Sequence, residues 1–166
     1  MIEKLKKAEV PERFLDKISV SAKRVITDNQ NIILDFLENH KDLSITYSDK
    51  KLGAGRATEV AISIFKLIFS NEIPIKVRIV YQFTPILITQ IIEKQPLTNI
   101  KNADIIIFDG FDIIDAYNSK VLAPLIGYRK NNWLKSIYVS NEELQKIAEK
   151  NVVLQGLLSN YLEIKF

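Results

Sequence analysis

The sequence predicts an α/β fold, a three-layer arrangement with a parallel sheet covered by helices on both faces, and three observations predict it. Five short stretches of strand character alternate along the chain with stretches whose apolar residues recur at helical spacing. One of the five, Ala103-Asp104-Ile105-Ile106-Ile107-Phe108-Asp109, is apolar almost throughout and ends in a carboxylate, the pattern of a strand buried on both faces of a parallel sheet. Another, Ser44-Ile45-Thr46-Tyr47, passes through Gly53-Ala54-Gly55 into an apolar-periodic helix, the layout in which backbone N–H groups and a helix start face an anion. With 47% hydrophobic residues, the 166-residue chain can form one proper core, so residues 1–166 are read as a single domain with 1–26 as a lead-in segment.

In the lead-in, Leu5, Ala8, Val10, Phe14 and Leu15 stand among charges, and Pro11 interrupts them. A short helix is expected there, then a turn that docks Phe14 on the body. Ile32, Ile33, Phe36 and Leu37 predict an amphipathic helix over residues 27–39, with Thr27 or Asp28 as its N-cap. A turn at 40–42 leads to the strand at 43–47. Beyond the glycines, residues 58–70 are apolar nearly all round, through Val60, Ala61, Ile64, Phe65 and Ile68, which predicts a buried central helix. Residues 75–81 alternate Ile75, Val77 and Ile79 with Lys76 and Arg78, a strand with one wetter face. Thr84-Pro85 opens the next helix, with proline at its first position, and Gln95-Pro96 ends it. After the strand at 103–109 come a helix over 116–130 despite Pro124, a strand at 136–141, a helix over 142–149 capped by Ser140 or Asn141, and a closing strand at 161–166. Neither an internal repeat nor a low-complexity linker is present.

Composition excludes several kinds of chemistry. There is no cysteine and only one histidine, His40, so disulfides, thiolate metal sites, cysteine nucleophiles and multi-histidine centres are ruled out. Net charge is +3 with a pI near 9.0, which permits nucleic-acid contact without demanding it. Residues 1–7 are charged rather than apolar, and no apolar run approaches the ~20 residues of a membrane span. The expectation is a soluble cytoplasmic protein with no membrane contact.

The glycine segment carries the shape of a P-loop with altered chemistry. Against the pattern G-x-x-x-x-G-K-[ST], Lys50 stands at the first glycine, Arg56 at the lysine and Ala57 at the metal-binding hydroxyl. Arginine's planar fork does not replace an ammonium cleanly in a cradle shaped for one. Thr58 serves only if the loop is slipped by one residue. Asp109 occupies the place of the aspartate that holds Mg²⁺, but Gly110 follows it where a second acid would activate water. Gly53, Gly55, Arg56, Thr58, Asp109 and Asn141 are therefore the residues of a vestigial nucleotide site. No catalytic residue and no metal ligand is assigned, and neither ATP nor Mg²⁺ is expected to bind more than weakly. Asp112 and Asp115 read as solvated or capping carboxylates, and Ser140-Asn141 as a γ-phosphate sensor or a helix cap. Lys50, Lys51, Arg129 and Lys130 are the candidate nucleic-acid contacts. Trp133 reads as core or interface.

These residues fall in an order that resembles a family. Ala8-Glu9-Val10-Pro11-Glu12-Arg13-Phe14 is similar to the lead-in of the DnaC, DnaI and IstB type AAA+ proteins, which load replicative helicases or assist transposition. The loop and the strand at 103–109 then follow as Walker A and Walker B. Leu125 to Arg129 with Ile137 to Asn141 resembles the family's arginine-bearing helix and sensor strand. Leu157-Leu158-Ser159-Asn160-Tyr161-Leu162-Glu163-Ile164 resembles the segment that carries its trans-acting arginine, replaced here by Asn160. The resemblance implies an AAA+ core, here without a lid domain. Only seven residues precede Ala8, so the helicase-gripping extension of loaders is expected to be missing. The function that follows is a non-catalytic adaptor or interaction subunit in DNA replication, repair or mobile-element biology. Its partner is a protein of a replication or AAA+ assembly, with DNA and homo- or hetero-oligomers as further possibilities. The alternatives are a weak ATP-binding loader that uses Arg56, and a single-strand nucleic-acid-binding module.

Overall fold

The computed structural model describes residues 1–16, 18–47, 55–70 and 77–166, with Ile113 described through its backbone alone. Five strands form one sheet in the order β2-β3-β4-β1-β5: β1 (Asp42–Thr46), β2 (Ile79–Phe83), β3 (Ile105–Asp109), β4 (Lys135–Ser140) and β5 (Tyr161–Lys165). Every pairing is parallel, with Leu43 beside Ile137 and Leu162, and Ile107 beside Tyr81 and Ile137. The carboxyl ends of all five strands therefore share one edge of the sheet, and their amino ends share the other.

Alternation along the strands divides the core between two faces. Leu43, Ile45, Ile79, Tyr81, Ile105, Ile107, Ile137 and Val139 pack with α2 (Val20–Asp28), α3 (Gln30–Glu38) and α4 (Arg56–Phe69). Val80, Ile106, Phe108 and Tyr138 turn the other way, against α5 (Thr84–Ile92), α6 (Thr98–Lys101), α7 (Ala116–Asn131), α8 (Leu144–Lys150) and α9 (Val152–Gln155). The three-layer α/β architecture is the one the sequence predicts. Among the described residues, no helix is long and apolar enough to cross a membrane.

The lead-in lies along the outer edge of β2. After α1 (Ile2–Lys7), the Ala8 carbonyl accepts the Tyr81 N–H at 2.7 Å, and the Glu9 carboxylate accepts from the Gln82 amide at 2.6 Å. A row of sheet-edge donors is thus partly covered by the chain's own start. The turn at Glu12–Phe14 then carries Phe14 onto the body as expected.

Four local expectations are corrected. The helix placed at 27–39 begins at Gln30, and a further helix, α2, occupies residues 20–28, mostly within the segment read as lead-in; between them Asn29 leaves helical geometry at φ −118° and its side-chain amide donates to the Val25 carbonyl at 2.8 Å. Asparagine competes here with the helical ladder, ending α2 and starting α3, so neither Thr27 nor Asp28 is the cap. The strand placed at 75–81 begins at Ile79, and residues 75–76 lie outside the described ones. The helix placed at 142–149 begins at Leu144, and neither Ser140 nor Asn141 caps it. Trp133 is 68% exposed rather than part of the core.

Candidate functional site

Four of the predicted site residues meet at the carboxyl edge of the sheet. Gly55 sits at φ +122°, a region that L side chains rarely adopt, and from there α4 begins with Arg56. Phe14 of the lead-in lies over this turn, 3.8 Å from where a Cβ on Gly55 would stand. Arg56 is exposed, Ala57 is buried without an oxygen to offer a metal, and Thr58 is buried with its hydroxyl turned toward the sheet. Lys50, Lys51 and Gly53 lie outside the described residues.

Asp109 ends β3 and is only 7% exposed. Its Oδ1 accepts the Thr58 hydroxyl at 2.7 Å, and its Oδ2 accepts the Tyr81 phenol at 2.5 Å. Both carboxylate oxygens thus hold short, charge-assisted bonds from neutral donors, and the three residues join α4, β3 and β2. Burial first, then the bond to Asp109 and its negative charge, push the Tyr81 phenol well above its usual pKa. The phenol therefore stays protonated through the physiological range and remains a donor to Asp109.

Tyr81 is the site residue that sequence reasoning missed. The available signal was a tyrosine near the carboxyl end of one strand and an aspartate at the end of another. Only the pairing of β2 with β3 reveals that the two are neighbours.

Asn141, beyond β4, has its amide donating to the Asp112 carboxylate at 3.3 Å, which ties the end of β4 to the turn after β3. Ser140 donates its hydroxyl to the Glu142 carbonyl at 2.5 Å. Asp115 is the N-cap of α7, accepting the Asn118 N–H at 2.7 Å. Among the described residues, no three His, Cys, Asp or Glu side chains gather closely enough to hold a metal ion.

Of the candidate nucleic-acid cations, Arg129 and Lys130 are among the described residues. Arg129 is fully buried, a correction to its assignment as a phosphate contact. Its guanidinium donates to the carbonyls of Ile100, Lys101, Ala103 and Lys135 and to the Ser136 hydroxyl, at 2.6–3.4 Å. It satisfies the end of α6 and the amino ends of β3 and β4, and its burial lowers its pKa to about 10. Lys130, the next residue, is half-buried at the same amino edge, and its ammonium binds the carbonyl and hydroxyl of Ser159 at 2.7 and 3.1 Å. Arg56 stands at the opposite edge of the sheet.

No protein-family model and no curated protein matches this sequence. Solved structures do match. The chain superposes on the DnaC helicase loader with a TM-score of 0.67 at 18% identity, over 94% of this chain and 99% of that one. DnaI gives 0.58 at 19% identity, over 90% and 82%. Domain III of the Thermotoga maritima replication initiation protein DnaA gives 0.61 at 17% identity, over 92% and 65%. Likeness at such identities is likeness of fold. The chain has an α/β P-loop fold of AAA+ type, and in that fold it resembles the DnaC and DnaI helicase loaders.

Proposed function

We propose that this chain is a non-catalytic AAA+-like interaction subunit of a DNA replication assembly, or of a related repair or mobile-element assembly, in which the nucleotide site has become a structural joint. The observation that carries the reading is the state of Asp109, whose two oxygens are taken by Thr58 and Tyr81. A metal at this position competes with both hydroxyls, and Ala57 supplies no ligand in return. The remaining residues do not fit a hydrolytic Mg²⁺-nucleotide site, since an arginine replaces the lysine and a glycine the second acid. What they do instead is mechanical. Two hydroxyls hold the first turn of α4 against β3 and β2, so the loop-helix junction is kept in place without a ligand. The likeness to replication loaders and to an initiator domain supports placing such a joint in a replication assembly, with a protein as its partner.

Calorimetric titration with ATP, with and without Mg²⁺, tests this reading. The expected result is no Mg²⁺-dependent tightening, no turnover, and a melting temperature unchanged by saturating Mg²⁺-ATP. Under mass action, a ligand at a hundred times its Kd adds about 2.7 kcal/mol of stability. A Mg²⁺-dependent rise in melting temperature of that order would overturn the reading in favour of an ATP-binding loader that uses Arg56.

A further inference from the structure

The sheet ends at β2, and the lead-in covers only part of that edge. The Ile105 N–H donates to the Arg78 carbonyl at 3.1 Å, so by the alternation of a parallel ladder Val80 and Gln82 turn their backbone groups to β3, while Ile79, Tyr81 and Phe83 turn theirs outward. The Ala8 carbonyl takes the Tyr81 N–H. Among the described residues, no hydrogen bond reaches the Ile79 N–H, the Ile79 carbonyl or the Tyr81 carbonyl. An open strand edge is a template for a strand from another chain.

The uncovered stretch lies in a groove of about 710 Å³ between α1 and α6. Its two walls differ in character. On one side the end of α4 presents Ile68 and Phe69, with Lys4 and Lys7 of α1 beside them; on the other, α6 presents Thr98 and Asn99. The acids of the groove are already engaged. Glu9 accepts from the Gln82 amide, and Asp104 accepts the Arg78 N–H at 2.6 Å and lies 3.5 Å from its guanidinium. The cations of α1 are not. Lys4 and Lys7 are exposed, the Lys4 ammonium stands 5.8 Å from the centre of the Phe69 ring, and among the described residues neither lysine joins an ion pair. Free backbone groups, an apolar wall and two uncompensated positive charges thus converge on one stretch of edge. A second copy of this chain suits it poorly, because pairing β2 with β2 brings the same lysines to both sides of the contact.

We infer that the outer edge of β2 is a docking site for an extended acidic segment of a partner protein. The segment adds a strand beside Ile79 through main-chain bonds, sets apolar side chains on Ile68 and Phe69, and brings carboxylates to Lys4 and Lys7. This deepens the reading of the chain as an interaction subunit and rests on it only in taking the partner to be a protein. Neither Asp109 nor Thr58 lines the groove, so the joint and the groove are tested separately.

Two labelled, capped octamers, one alternating valine with glutamate and one alternating valine with lysine, serve as probes in fluorescence anisotropy with the full chain. The acidic peptide is expected to bind at least about tenfold more tightly than the basic one, with an affinity that falls as salt is raised. Lys4→Glu together with Lys7→Glu should reverse that preference, with little change in the denaturation midpoint because both side chains are exposed. Amide hydrogen exchange reads the added strand directly. The Ile79 N–H should exchange about tenfold or more slowly at saturating acidic peptide than in the free chain. The inference is overturned if the two peptides bind alike or not at all, or if the acidic peptide binds without slowing Ile79. It is equally overturned if sedimentation shows a dimer whose formation slows Ile79 and excludes the acidic peptide, the behaviour of a second copy seated in the groove.

Discussion

Asp109 owes its environment to one residue that sequence placed and one that it did not pair. As the carboxylate closing the most apolar strand, it was legible as a site residue. Its partner Tyr81 was not, because the contact crosses from β3 to β2 and no periodicity encodes a bond between strands 28 positions apart. Tyr81→Phe removes one charge-assisted bond from a buried carboxylate and is expected to cost about 1.5–3 kcal/mol in chemical denaturation. Thr58 escaped for a similar reason, since its hydroxyl was weighed as a metal ligand and serves as a donor to Asp109. Arg129 shows the converse limit: a cation near a helix end looks like surface in the sequence, and its five carbonyl and hydroxyl partners are visible only in the fold. Asp42 supplies a pH signature. Burial raises its carboxyl from 3.8 to about 6, against the opposing pull of the Ser136 N–H and of Lys130 and Arg129. The folded state thus binds this proton more tightly than the unfolded one. Its contribution to stability is complete below about pH 4 and lost as pH rises past about 6, a decline of about 3 kcal/mol. In denaturation curves across that window, Asp42→Asn should flatten the decline.

Elements with strong periodicity or a clear buried run were read nearly to the residue. Four of the strands and the helices at α4, α5 and α7 fall within two or three positions of expectation, while β2 begins at Ile79 rather than at residue 75. The short helices α6 and α9 have four residues each, too few to display a period. The break between α2 and α3 depends on one side-chain amide bonding backwards along the helix, which the apolar pattern passes over. Inside α7, Pro124 leaves the Lys120 carbonyl without its helical donor, and the helix continues past it with both residues exposed. Pro124→Ala restores the bond at a small entropic loss, and a gain of about 1 kcal/mol in thermal or denaturant unfolding is expected.

At the scale of the molecule, the order of elements was more informative than any motif. Individual substitutions obscure the loop signature, while a parallel sheet in the order β2-β3-β4-β1-β5 needs only that each element keep its place. The chemistry of the site was less legible, because what an aspartate does depends on which donors the fold brings to it. Two attachments meet at Tyr81, one through its backbone to Ala8 and one through its ring to Asp109. The opening segment is consequently a handle on an acid that it never touches. A neighbour that peeled α1 from the sheet would strip a rung from β2 and slacken the grip of the phenol, so that traction at one end of the chain would be felt at the end of β3.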